Sequence, residues 1–316
     1  MLALVAEISE LVGRLSAQEQ SRLTPQLRRG NRIRTIQASL AIENNTLSVE
    51  QVTAVLDGRR VLGLPAEIQE VRNAFAAYDA MAGWQPDSVE HLIKAHRLLM
   101  HGFLDDAGCY RAGGVGIYRG EKLLDMAPPP SRVALLMQDL LAWLAATELP
   151  ALIASCVFNY EFEFIHPFAD GNGRMGRLWQ TLILSRWQPL LAYLPVETVI
   201  QTHQGEYYAA LAEADKVSEA SPFVLFMLGA LREALLETVA GDQVSDQVSD
   251  QVERLMAVLQ PGVALKASEL MELLNLSHRH SFGKSYLKPA LAAGLIEMTD
   301  PASPRSPAQR YRRKLL

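Results

Sequence analysis

The twelve residues from His166 to Arg177 read His-Pro-Phe-Ala-Asp-Gly-Asn-Gly-Arg-Met-Gly-Arg. They bring together a base, a carboxylate, a glycine-rich turn and two guanidinium groups. Gly171 and Gly173 flank Asn172, so the backbone there can turn left-handed and approach a ligand closely. Apolar residues at helical spacing follow, which predicts a helix starting within the turn. Its first amides would lack partners inside the helix and would form an anion site. Arg174 and Arg177, three apart, share a helical face and suit phosphate oxygens. Asp170 stands where a carboxylate beside phosphates can hold Mg²⁺. His166 precedes a proline and can take a proton near neutral pH. The set points to chemistry on a phosphorylated ligand. It does not match the Walker phosphate loop.

The run resembles, without mismatch, the signature of the Fic (Fic/Doc) family, His-x-Phe-x-Asp/Glu-Gly-Asn-Gly-Arg-x-x-Arg. Most members transfer AMP from ATP to a protein hydroxyl. The resemblance implies that His166 is the general base on a Ser, Thr or Tyr hydroxyl and that Phe168 anchors the loop in the core. Asp170 would hold Mg²⁺. Gly171, Asn172 and Gly173 would form the phosphate anion hole, with Arg174 on the β-phosphate and Arg177 on the γ-phosphate. It covers roughly residues 35–235.

Upstream, Ile33, Ile36, Leu40 and Leu47 fit one helical stripe. Ser39-Leu-Ala-Ile-Glu43-Asn44 resembles the family's inhibitory pattern, Ser/Thr-x-x-x-Glu-Gly/Asn. In similar proteins that glutamate pairs with the second signature arginine, here Arg177, and keeps ATP from its productive pose. The bland reading of the segment is a polar helix end with Asn44 and Asn45 as C-caps.

The elements that must position these groups are mostly helical. Residues 1–65 read as an N-terminal helical region, 66–240 as the catalytic core, 241–253 as a linker and 254–316 as a winged helix-turn-helix. Residues 108–130 change character: Gly108, Gly113, Gly114, Gly116 and Gly120 punctuate β-prone runs, then Pro128-Pro-Pro130 follows. That predicts a hairpin. With Tyr110 and Arg111 before it, it resembles the family's flap, which holds the target chain by strand-like pairing. His91, His96 and His101 are five apart and do not share a face, which argues against a metal site. Tyr207 and Tyr208 fall in a segment resembling the one near the nucleotide base, or else serve the core. Asp242 to Val252 is a four-residue polar repeat, a linker or the edge of a helix. In the last segment, 267–276 and 285–296 predict two helices, with Gly294 ending the second. A hairpin over 295–298 and 309–312 follows. Arg279, His280, Lys284, Lys288, Arg305, Arg310, Arg312 and Arg313 make the segment basic, so DNA is a partner to test alongside a protein.

The chain's 316 residues, 49% of them hydrophobic, can bury a large core in more than one domain. A net charge of −5 gives no global case for nucleic acid or membrane. Cys109 and Cys156 fit a reducing compartment. No apolar stretch reaches membrane-span length, and Glu7 interrupts the start, so a cytoplasmic location is the default. The reading is a mainly α, Fic-type helical core with a small β-hairpin flap and a C-terminal winged helix. It implies an adenylyltransferase autoinhibited by Glu43, with ATP and Mg²⁺ as ligands. AMP removal, or a DNA-binding regulator whose core senses nucleotide, are the alternatives. Dimers are common among similar proteins, but no homodimer interface is readable.

Overall fold

The computed structural model describes residues 1–22, 25–119, 122–260, 263–292, 295–301, 303, 306 and 309–313. Gly120, Gly294 and Arg305 of the sequence reading lie outside these. The fold is mainly helical, and the chain falls into two compact units, 1–237 and 238–316.

The first unit runs α1 (Leu2–Arg22), α2 (Pro25–Ile42), α3 (Val49–Leu56), α4 (Pro65–Ala80) and α5 (Val89–Leu99). The hairpin β1 (Gly116–Arg119) and β2 (Lys122–Met126) comes next, then α6 (Pro130–Ala146), α7 (Ala151–Ile165), α8 (Asn172–Trp187), α9 (Val196–Thr202) and α10 (Gln204–Val217). The element α11 (Ser221–Val258) contains the polar four-residue repeat. Local chemistry explains the starts. Ser48 and Gln51 form a reciprocal capping box on α3. Ser48 and Ser88 cap α3 and α5, and prolines occupy the first positions of α4 and α6, where no amide hydrogen bond is lost. The hairpin pairs Gly116 with Met126 and Arg119 with Lys122, with an irregularity between Ile117 and Tyr118.

The core forms around α7 and α8. From Asn172 to Leu184 nearly every side chain of α8 is buried, the pattern of a helix enclosed on all sides. Met175, Leu178, Trp179 and Leu182 meet Phe158 and Phe162 of α7 and the Ile33, Ile36 and Leu40 stripe of α2. No helix among the described residues is long and apolar enough to cross a membrane.

The second unit has its own core, with Leu255, Leu259, Leu270, Phe282, Tyr286 and Ile296 buried. Its elements are β3 (Leu265–Lys266), α12 (Ala267–Leu273), α13 (Arg279–Phe282), a π-helical turn (Gly283–Leu287), α14 (Lys288–Ala292), β4 (Ile296–Met298) and β5 (Arg310–Arg313). The second helical run therefore starts at Arg279, six residues before the expected Ser285. The strands make an antiparallel sheet in the order β3-β5-β4. The expected hairpin is β4 with β5. The strand β3 was not legible, because two residues carry no alternation.

At Gly176, α8 packs tightly on α7. A Cβ there would sit 2.5 Å from Asn159 Oδ1 and 3.0 Å from Glu163 Oε1. Asn159 is buried and donates from Nδ2 to Gln180 Oε1 at 3.0 Å, so moving it aside would break that bond. Overpacking costs about 1–3 kcal/mol, more than the roughly 0.5–1 kcal/mol that alanine gains over glycine in a helix. Gly176→Ala should therefore lower the urea midpoint. A midpoint at or above wild type would refute this packing.

Candidate active site

Helix α7 ends at Ile165, and His166 caps it in the left-handed region (φ 49°, ψ 61°). Its amide still donates to the Phe162 carbonyl at 3.0 Å. Histidine visits this region more readily than bulky residues do, but the loop after it must hold it there. Three contacts do so. Phe168 is fully buried and stacks on His96, ring centres 3.7 Å apart and planes 6° from parallel. His96 accepts from the Gly108 amide at Nδ1 (2.8 Å), so Nε2 carries the proton that reaches the Asp170 carbonyl (3.0 Å). Asn172 closes the loop on itself: Oδ1 accepts from the Phe168 amide at 3.0 Å and Nδ2 donates to the Phe168 carbonyl at 2.9 Å. Gly171, at φ 84°, turns the chain into α8.

The two arginines of α8 point to different acids. Arg174 donates to Glu70 of α4 at 2.7 Å and to Asp170 at 3.2 Å. Arg177, only 2% exposed, donates to Ser39 Oγ at 3.1 Å, to the Ser39 carbonyl at 3.0 Å and to Glu43 Oε1 at 2.8 Å. Glu43 is set by how α2 ends. Asn44 is left-handed (φ 70°); its amide reaches the Ala41 carbonyl and the Asn45 amide reaches the Leu40 carbonyl. That is a Schellman end with Asn at the left-handed position, and Glu43 is its cap residue. Its carboxylate lies over Gly173, where a Cβ would come within 2.5 Å of Oε1.

These groups line one cavity of about 280 Å³. Glu43, Glu163, His166, Gly173 and Arg177 line part of it; Tyr160, Tyr207, Tyr208, Leu211 and Asp215 line more. Burial pushes the His166 imidazole below its ordinary pKa, and the Arg111 cation adds to this. The Glu163 carbonyl, Asp170 and Glu43 pull the other way. Burial pushes the Glu163 carboxyl up to about 7, against the pull of Arg177. Burial pulls Arg177 down, but Glu43, Tyr207 and Glu163 together outweigh it and hold the guanidinium above its ordinary value. Asp170 Oδ1 takes the Gly171 amide at 2.6 Å, and its side chain is 61% exposed. Among the described residues, no three His, Cys, Asp or Glu side chains cluster as a metal cage. One exposed carboxylate next to a phosphate-sized anion site suits Mg²⁺, which draws its other ligands from phosphate and water.

The structure thus gathers His166, Gly173, Arg177 and Glu43 around the cavity, with Asp170 and Arg174 on the adjoining loop and turn. Tyr207 and Tyr208 both line the cavity, and Tyr207 also packs on Phe223 and Phe226. Sequence reasoning missed Glu70, and read Asn45 only as a C-cap, whereas its Nδ2 also donates to Glu70 Oε2 at 2.8 Å. It assigned Glu163 no chemistry. The run Glu161-Phe-Glu163 before the motif held a signal: two acids in an apolar run entering a buried loop.

Two family models match the chain: the Fic/DOC family over residues 86–184 and the C-terminal domain of the filamentation-induced-by-cAMP protein Fic-like family over 250–313. The crystal structure of a Fic family protein from Desulfovibrio desulfuricans G20 is 61% identical, with a TM-score of 0.77, over 99% of this chain and 95% of that one. The protein adenylyltransferase fic-1 of Caenorhabditis elegans is 29% identical over 205 residues, 60% of this chain and 37% of that protein. The protein adenylyltransferase Fic of Culex quinquefasciatus is 27% identical over 220 residues, 64% and 41% respectively. The chain therefore spans well under half the length of those two adenylyltransferases.

Glu163 generates a pH prediction. The folded protein keeps a proton on this buried acid up to about 7, whereas the unfolded chain releases it near the ordinary 4.5. Its contribution to stability is complete below 4.5 and is lost as pH rises through about 7. Glu197, also buried and pushed up to about 7, adds the same slope. Urea midpoints measured between pH 4.5 and 8 should fall less steeply in Glu163→Gln than in wild type. An unchanged slope would show that Glu163 is ionised in the fold.

Proposed function

The chain belongs to the Fic family, and we propose that it is a protein adenylyltransferase restrained by its own Glu43. One observation carries the reading. The Glu43 carboxylate occupies Arg177 and the space over Gly173, inside the cavity that His166 lines. A carboxylate there holds the place that the terminal phosphate of ATP would take.

With Glu43 displaced, Arg177 is free to grip the γ-phosphate and Arg174 the β-phosphate, as planar forks suit phosphate oxygens. The first amides of α8 complete the anion site. His166 takes the proton of a target Ser, Thr or Tyr hydroxyl as its oxygen attacks the α-phosphorus. The α–β bond breaks, and pyrophosphate leaves with the charge that the arginines and amides stabilise. Burial keeps His166 in its neutral, proton-accepting form near pH 7. Mg²⁺ held by Asp170 would supply charge neutralisation on the phosphates. The hairpin β1–β2 is the surface proposed to hold the target chain.

The opposing activity, hydrolysis that returns the hydroxyl and releases AMP, draws support from the same geometry, since Glu43 and His166 line one cavity. The two directions separate in one assay. The protein is incubated with α-³²P-ATP and Mg²⁺ as wild type, Glu43→Gly and Glu43→Gly/His166→Ala. Transfer predicts that Glu43→Gly raises the label several-fold and that loss of the base lowers it about 10²–10⁴-fold. No label in Glu43→Gly, together with AMP release from a pre-labelled protein by wild type alone, would replace transfer by removal.

A further inference from the structure

Arg111 is 3% exposed, and among the described residues its guanidinium meets no carboxylate. It donates to four backbone carbonyls: Nε to His166 (2.7 Å), NH1 to Gly113 (3.0 Å), and NH2 to Pro128 (2.6 Å) and Ile165 (3.3 Å). Its own amide donates to the Pro167 carbonyl at 2.9 Å. A buried cation is costly unless its protons are satisfied. Here four of the five are taken by backbone carbonyls. Gly113 lies just before β1 and Pro128 just after β2, while Ile165 and His166 form the end of α7. One planar group thus ties both flanks of the hairpin to the strained turn that carries His166.

We propose that Arg111 is a positioning residue that sets His166 against a hydroxyl presented on the hairpin. This rests on the transferase reading above. The hairpin and the imidazole belong to segments about forty residues apart in sequence, where small displacements of reacting groups cost rates of order a hundredfold. The guanidinium fork fixes both segments at once. Lysine cannot, because an ammonium lacks the planar array of donors that meets four carbonyls. The same cation also disfavours the proton on His166, which is faced by Asp170 and Glu43 as the acids and by the Glu163 carbonyl.

The test uses the full chain with Arg111→Met and Arg111→Lys, alone and with Glu43→Gly. Three readouts are taken: the pH midpoint of His166 by ¹⁵N-histidine NMR without Mg²⁺, the ATP affinity by calorimetry, and kcat for label transfer. Arg111→Met should raise the His166 midpoint, and Arg111→Lys should stay nearer wild type. Both should lower kcat about tenfold or more while ATP affinity holds within about twofold. A merely structural arginine would lower activity and ATP binding together and leave the midpoint in place. An unchanged midpoint in Arg111→Met, or a wild-type kcat in Arg111→Lys should the methionine variant not fold, overturns the proposal. If Glu43→Gly transfers no label, the transferase reading fails, and the His166 midpoint still decides the placement of Arg111.

Discussion

Arg177 is the group on which the site depends: its guanidinium is buried, and its charge is met by a carboxylate. It is 2% exposed and sits in the middle of the most buried helix. Taking that charge out of water is costly, and removing its partner would leave the cost uncompensated. Ser39 satisfies part of its fork without charge, and Glu43 supplies the charge. The end of α2 is therefore bound to α8 by electrostatic need, and the Schellman turn at Asn44 and Asn45 aims Glu43 at it. The need is for an anion, not for Glu43 in particular. A phosphate that reached Arg177 would meet it equally, and the proposed competition between the helix end and a nucleotide rests on this.

The acids around Arg177 obey the same arithmetic. Glu163 and Glu197 both feel its charge, yet both are pushed up to about 7 by burial. Of the three acids, Glu43 is the one in direct contact with the guanidinium, and it is a third exposed to water. A parallel arrangement holds the neighbouring arginine. Arg174 is bound by Glu70, and Glu70 is bound by Asn45, two residues beyond Glu43. Asn45 also reaches the Glu67 carbonyl at 3.2 Å, so the end of α2 is fastened to α4 as it is to α8. Both arginines of the motif are thus linked to one turn.

Much of the site was legible because it is local. His166 to Arg177 carry their geometry in twelve residues: the proline after the histidine, the glycines at the turn and the arginines at i and i+3. Ile33, Ile36 and Leu40 read correctly as one helical stripe, and it is buried, but Leu47, read into the same stripe, lies past the end of α2 and is buried from the loop that follows; the glycine spacing over 108–130 read correctly as a hairpin. What was not legible is held by distant partners of ordinary type. Glu70 lies 104 positions from Arg174 and sits in a helix rich in polar residues. Among the described residues, the Arg111 side chain bonds to carbonyls, which no side-chain pattern announces. The early start at Arg279 escaped because His278, the residue before it, caps the helix without a side-chain hydrogen bond and so carries no start signal.

The loop that carries His166 is fastened by contacts that leave Glu43 out. Asn172 bonds the Phe168 backbone in both directions, Phe168 stacks on His96, His96 holds the Asp170 carbonyl, and Arg111 holds the carbonyls of Ile165 and His166. Each of these is satisfied whether or not Arg177 has an acid beside it. The contact of Glu43 with Arg177 and the geometry of the loop are therefore separable. The turn of α2 places Glu43 beside Arg177, while the loop keeps its shape through its own amides and carbonyls. Withdrawal of that one partly solvated carboxylate would leave every bond of the loop in place, and the restraint we propose acts on what occupies Arg177, not on the shape of the motif.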